Sequence, residues 1–123
     1  IFHEFNEKDS IKKFDLKKEK KFRDLFKEKN DWQSIAGVDK LFESFDRDGV
    51  LHAVVTNAPM LNASAMLNGI RLAKRFIDSK KLFIADECKK PKPDPAPYNR
   101  AIAVLSDRLV AAGEAHLEPS QCA

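Results

Sequence analysis

Apolar residues recur at steps of three and four between positions 10 and 30, where Ile11, Phe14, Phe22, Leu25 and Phe26 stand among lysines and acids. That period puts them on one side of a helix, and the stretch reads as amphipathic helix in two segments. Val38, Leu41, Phe42 and Phe45 give a second, shorter helix, which Gly49 stops as a left-handed C-terminal residue. The pattern then changes. Val50-Leu51-His52-Ala53-Val54-Val55 is nearly continuous in apolarity and rich in branched residues, which predicts a buried parallel strand rather than a half-exposed antiparallel one. Thr56-Asn57-Ala58-Pro59 predicts a turn, because proline cannot donate to a ladder and Thr and Asn bond their own backbone. Residues 62–72 return to helix, with Ala63, Met66, Leu67 and Ile70 on one face and Gly69 weakening the end, and residues 82–85 form a second short buried strand. Strand, helix and strand in that order predict a right-handed βαβ unit in an α/β fold, a parallel sheet with helices on both faces.

After the second strand comes Lys89-Lys90-Pro91-Lys92-Pro93-Asp94-Pro95, rigid and extended. Asp94 followed by Pro95 predicts a helix start, a side-chain cap ahead of a first-turn proline, and Tyr98, Ala101, Ile102 and Leu105 carry the helix to about residue 106. Residues 108–116 read as helical, 118–120 as a connection, and Cys122-Ala123 as the first residues of a further element. There is no internal repeat.

Composition narrows the class without naming a partner. At 123 residues, 43% hydrophobic and 33% charged, the chain is long enough for one folding unit with a modest core. Its net charge of +3 is spread out, with 10 Lys/Arg against 8 Asp/Glu in residues 1–31 and 12 against 11 in the remainder. Interspersed signs make a solvated helix surface rather than a nucleic-acid or membrane-binding stripe. Cys88 and Cys122 are too few and too far apart for a disulfide framework, so an intracellular, reducing compartment is expected, and no apolar run is long enough to insert in a membrane. The chain begins at Ile1 rather than Met, from which upstream residues are expected.

Candidate chemistry lies just beyond the carboxyl ends of the two strands, where open parallel sheets bind ligands. Thr56-Asn57 offers a hydroxyl and a run of backbone N–H groups ahead of a helix start, a natural cradle for a phosphoryl oxygen. Lys90, in the proline-stiffened loop after the second strand, can neutralise charge on a phosphate with little loss of freedom. Each alone is commonplace, a turn in one case and a linker in the other; their order and spacing together are more specific.

Ala53-Val54-Val55-Thr56-Asn57-Ala58-Pro59 resembles the second signature of the haloacid dehalogenase superfamily. Lys90-Pro91-Lys92-Pro93-Asp94-Pro95 resembles its third, as found in the beta-phosphoglucomutase-like and sugar-phosphatase branch. The resemblance runs over residues 34–122 and implies a partial Rossmann-like core at 34–123. Residues 1–33 are then a helical remnant of the cap that this branch inserts above its active site. It implies that Thr56 and its neighbouring backbone, with Asn57, bind the transferring phosphoryl group, and that Lys90 is the catalytic lysine that stabilises its charge. It also implies a Mg²⁺-dependent phosphatase or phosphomutase acting on a small phosphorylated metabolite. Met60 departs from the polar or basic residue that many relatives carry there.

The family's nucleophilic aspartate, and the later acidic pair that holds Mg²⁺, have no counterpart in the string. Asp46-Arg47-Asp48-Gly49 imitates the first signature, but ten positions to Thr56 are too few for a crossover between parallel strands, and the acids precede the strand instead of following it. The segment reads as a helix end and turn, with too few oxygen ligands for a calcium loop. Asp86 and Glu87 read as solvent-facing or substrate-proximal acids of the loop before Lys90. His3, His52 and His116 show no metal-ligand spacing, and His52 is expected beside a strand. Two readings follow: part of a working phosphatase or phosphomutase, or a non-catalytic structural or binding subunit in which a partner chain completes the sheet.

Overall fold

The structure, a computed structural model, describes residues 7–123. It opens with helix α1, Glu7–Lys29. The helix is unbroken, where the apolar steps suggested two segments. The reason is local: it contains neither glycine nor proline, and its lysines, glutamates and leucines are good helix formers. Residues 1–6 of the segment expected to belong to a cap lie outside the described residues.

α1 turns one face onto α3, Met60–Gly69. Phe26 is buried there, its ring stacked on Trp32 at 4.6 Å, and the Trp32 indole N–H donates to the Phe26 carbonyl at 2.7 Å. Gly69 makes the approach possible, because a Cβ there would stand 2.7 Å from Phe26 Cζ. The buried Asn62 bridges the pair, accepting from Arg23 at 2.6 Å and donating to Glu19.

Helix α2, Val38–Asp48, closes at Gly49 with φ 70°, the left-handed stop expected of it. Its Phe42 and Phe45 rings, with Phe76, surround His52; Phe42 stacks on the imidazole at 5.3 Å.

Strands β1 (Val54–Thr56) and β2 (Leu82–Ile84) run parallel, with Val54 opposite Leu82, Val55 opposite Phe83 and Thr56 opposite Ile84. The first is shorter than the six-residue strand its apolar run predicts: among the described residues, 50–53 join no ladder, and Val50 and Leu51 are 47% and 43% exposed. The cause is the partner. The Val54 N–H donates to the Lys81 carbonyl at 2.9 Å, and ahead of Lys81 the chain is wound into a π-helical turn, Lys74–Asp78, and the bend after it, so no β2 backbone is left to pair with residues 50–53. Ala85, expected in β2, starts a 3₁₀ turn, Ala85–Glu87.

Alternation along the strands divides the core in two. Val54 and Leu82 face Leu67, Leu72, Phe76 and Phe42, while Ala53, Val55 and Phe83 face Ala101, Leu105 and Val104 of helix α4, Ala96–Ala111. The chain is thus an α/β fold with helices on both faces of a small parallel sheet, as its pattern predicts. The Asp94 carboxylate accepts the Ala96 N–H at 2.8 Å, so the cap works as read. Residues 108–116 are not a further helix: α4 runs to Ala111, Gly113 reverses the chain at φ 83°, and His116 returns to the buried Ser106 hydroxyl at 2.7 Å.

Candidate phosphate site

β1 ends at Thr56, whose Oγ1 accepts the Ala58 N–H at 3.0 Å and bends the chain toward α3. An acceptor bond leaves the hydroxyl proton of Thr56 free to donate outward. Pro59 stands at the start of α3, so the N–H groups of that helix's first turn, which have no intrahelical acceptors, follow within a few residues of the strand end.

Across from this exit lies the loop between β2 and α4. Asn57 reaches it with both ends of its carboxamide: Nδ2 donates to the Lys92 carbonyl at 3.2 Å, and Oδ1 accepts the Lys92 N–H at 2.8 Å. The Lys92 ammonium in turn donates to the Val55 carbonyl at 3.2 Å and lies 5.8 Å from the centre of the Tyr98 ring. The Lys92–Pro93 peptide bond is cis.

Thr56, Asn57 and Lys92 are therefore brought together. Lys90, the lysine singled out from the sequence, is exposed in the same loop, and it is Lys92 whose ammonium stands at the exit of β1. The same string holds a second Lys-Pro step, Lys92-Pro93, two residues before Asp94, whose carboxylate caps α4.

The acids are engaged elsewhere. Asp46 takes one Arg75 nitrogen on both carboxylate oxygens, at 2.9 and 2.8 Å, and that nitrogen also lies 3.2 Å from His52 Nε2. Asp46 and Arg75 line a cleft with Lys81, which precedes β2, so this network sits at the opposite end of the strands from Thr56. Burial, reinforced by the Arg75 and Arg108 charges and partly opposed by Asp46, holds the Lys81 ammonium below the usual lysine range. Asp86 and Glu87 are exposed in the 3₁₀ turn, and Glu87 pairs with Arg100 at 2.5 Å. Met60 opens α3 and is 45% exposed. Among the described residues no group of three or more His, Cys, Asp or Glu side chains is gathered to hold a metal ion, so these residues do not fit a Mg²⁺ site. No helix among them is long and apolar enough to cross a membrane.

A parallel strand that runs into a helix start, with helices on both faces of the sheet, marks an open α/β protein, a class whose ligands bind at the strand exits. Over residues 1–109 the chain matches the family model of the haloacid dehalogenase-like hydrolases, and it belongs to that family. The match takes in α1 as well as the strands and most of α4. No solved structure matches the chain.

Proposed function

We propose that this chain is the phosphate-holding part of a Mg²⁺-dependent phosphatase or phosphomutase of the beta-phosphoglucomutase-like branch, acting on a small phosphorylated metabolite in a reducing intracellular compartment. The observation that carries the proposal is the convergence of the Thr56 hydroxyl and the Lys92 ammonium on the exit of one strand. Thr56 donates its free proton to a phosphoryl oxygen while its own oxygen keeps the turn in place. Lys92 exchanges the Val55 carbonyl for a phosphate oxygen, a stronger charge-assisted acceptor. The role read for Lys90 passes to Lys92 in this proposal, because the ammonium at the strand exit is that of Lys92.

The nucleophilic carboxylate and the Mg²⁺ ligands come, in this reading, from polypeptide that adds a strand to the free edge of β1, in a longer chain or a partner chain. Among the described residues β1 pairs with β2 alone. Beside it runs a groove of 1160 Å³ lined in part by Val50, Leu51, Val55, Ile102 and Leu105. A second reading is a non-catalytic binding subunit; the ties of Asp46 to Arg75 and Glu87 to Arg100 favour it for the chain by itself.

The test is a titration with inorganic phosphate, paired with Mg²⁺-dependent hydrolysis of an aryl phosphate. Binding is expected, with Lys92→Ala weakening it by about tenfold or more and Lys90→Ala by about twofold at most, as a single charge-assisted bond implies. Equal losses at the two lysines, or no binding, would overturn the assignment. Turnover separates the two readings: an active preparation is the enzyme, and binding without turnover is the subunit.

A further inference from the structure

We propose that Asn57 is a positioning residue that sets Lys92 at the strand exit and does not itself touch the phosphoryl group. The inference rests on the phosphate-holding reading and assigns a different task to one of the residues first read as a ligand.

The geometry is that of a small two-point bridge. The Asn57 carboxamide gives its Nδ2–H to the Lys92 carbonyl and takes the Lys92 N–H on Oδ1, so both of its polar ends are engaged with a single residue 35 positions away in sequence. The choice of Lys92 is dictated by its neighbours. Pro91, Pro93 and Pro95 have no N–H, and the Asp94 N–H already goes to the Pro91 carbonyl at 3.0 Å, so between 91 and 95 the Lys92 N–H is the one left for an outside acceptor. Asn57 captures it and thereby ties the whole proline-stiffened segment to the exit of β1. The far end of the same residue is held by that exit too, through Nζ on the Val55 carbonyl, with the Tyr98 ring on α4 beneath. Residues 55 and 57 thus bracket Lys92 at ammonium and backbone, while Thr56 between them presents its hydroxyl.

Side-chain chemistry explains why asparagine does this. Aspartate keeps the acceptor but has no donor for the Lys92 carbonyl; serine can make one of the two bonds; glutamine carries an extra methylene and holds both less well. A carboxamide already paired at both ends has only its second Nδ2–H to offer a ligand, whereas a loosened Lys92 backbone would let the ammonium leave the strand exit.

The experiment follows backbone amide exchange and the Lys92 ε-methylene resonance by NMR in the full chain, with inorganic phosphate as the probe. In Asn57→Ala the Lys92 amide is expected to exchange about tenfold faster or more, as loss of one protecting hydrogen bond implies, while the Leu105 amide inside α4 is unchanged. Asn57→Asp, which retains the acceptor, is expected to restore most of the Lys92 protection. Phosphate affinity should fall in Asn57→Ala, and the Asn57→Ala/Lys92→Ala pair should bind no more weakly than Lys92→Ala alone, because one residue acts through the other. A further loss of tenfold or more in the double variant would show that Asn57 touches phosphate directly and would sink the proposal, as would unchanged Lys92 exchange in Asn57→Ala. If the unmodified chain does not bind phosphate, the phosphate-holding reading fails, and the exchange measurement still decides whether Asn57 sets Lys92.

Discussion

At the scale of single residues, the strand exit asks two things of Thr56. Its oxygen must hold the Ala58 N–H, and in the proposed site its proton must face a ligand. Thr56→Val keeps the shape and removes both; it is expected to cost about 1–2 kcal/mol in urea unfolding, the usual price of an unmade hydrogen bond, and to abolish phosphate binding. Thr56→Ser should recover most of each. Lys81 makes a pH prediction. Its folded-state value is depressed by burial first and by Arg75 next, so between that value and the ordinary lysine value the unfolded chain binds the extra proton. Stability contributed at this position is therefore expected to rise with pH across that alkaline window. Comparing denaturation midpoints of the parent chain and Lys81→Met from pH 8 to 11 checks it, and a parallel pair of curves would refute it. Thr56 and Asn57 were legible as the end of a strand because they close an apolar run ahead of a helix. The placement of Lys92 was not, since Lys90-Pro91 and Lys92-Pro93 look alike until the tie to Asn57 selects one of them.

At the scale of elements, α2 and α3 were legible, while the unbroken run of α1, the end of α4 and the strand lengths were not. α2 and its Gly49 stop follow from local period and backbone freedom, which is information carried within a dozen residues. The extent of β1 depends on what its partner can offer, and the π-helical turn ahead of β2 withholds a ladder from residues 50–53. The docking of α1 on α3 was hidden for the same reason: nothing near Gly69 in sequence announces that Phe26 will lie on it. Gly69→Ala gains helix propensity worth about 1 kcal/mol, but it drives a methyl into a buried aromatic ring, an overpacking that costs about 1–3 kcal/mol. The net expectation is destabilisation with early exposure of Trp32, which indole fluorescence during urea unfolding reads directly. Trimming the ring in the double variant Gly69→Ala/Phe26→Leu should recover part of the loss.

At the scale of the whole molecule, apolar clusters lie on both faces of a sheet with one edge of β1 unpaired among the described residues. Such an edge, flanked by the exposed Val50 and Leu51, is a template for contact with another chain. Leu51→Lys is expected to lower concentration-dependent self-association in sedimentation runs while leaving phosphate affinity unchanged; undiminished association would place the contact elsewhere. The register of the sheet has a kinetic consequence as well. Val54 and Leu82 are 28 positions apart, and each strand is only three residues long, so the ladder returns few hydrogen bonds for the loop it must close. Each helix can form early from its own local contacts, whereas the strand exits come into alignment only when that long closure is complete. The Asn57–Lys92 tie spans a still longer stretch, so the ability to grip an anion should be among the last properties the refolding chain acquires.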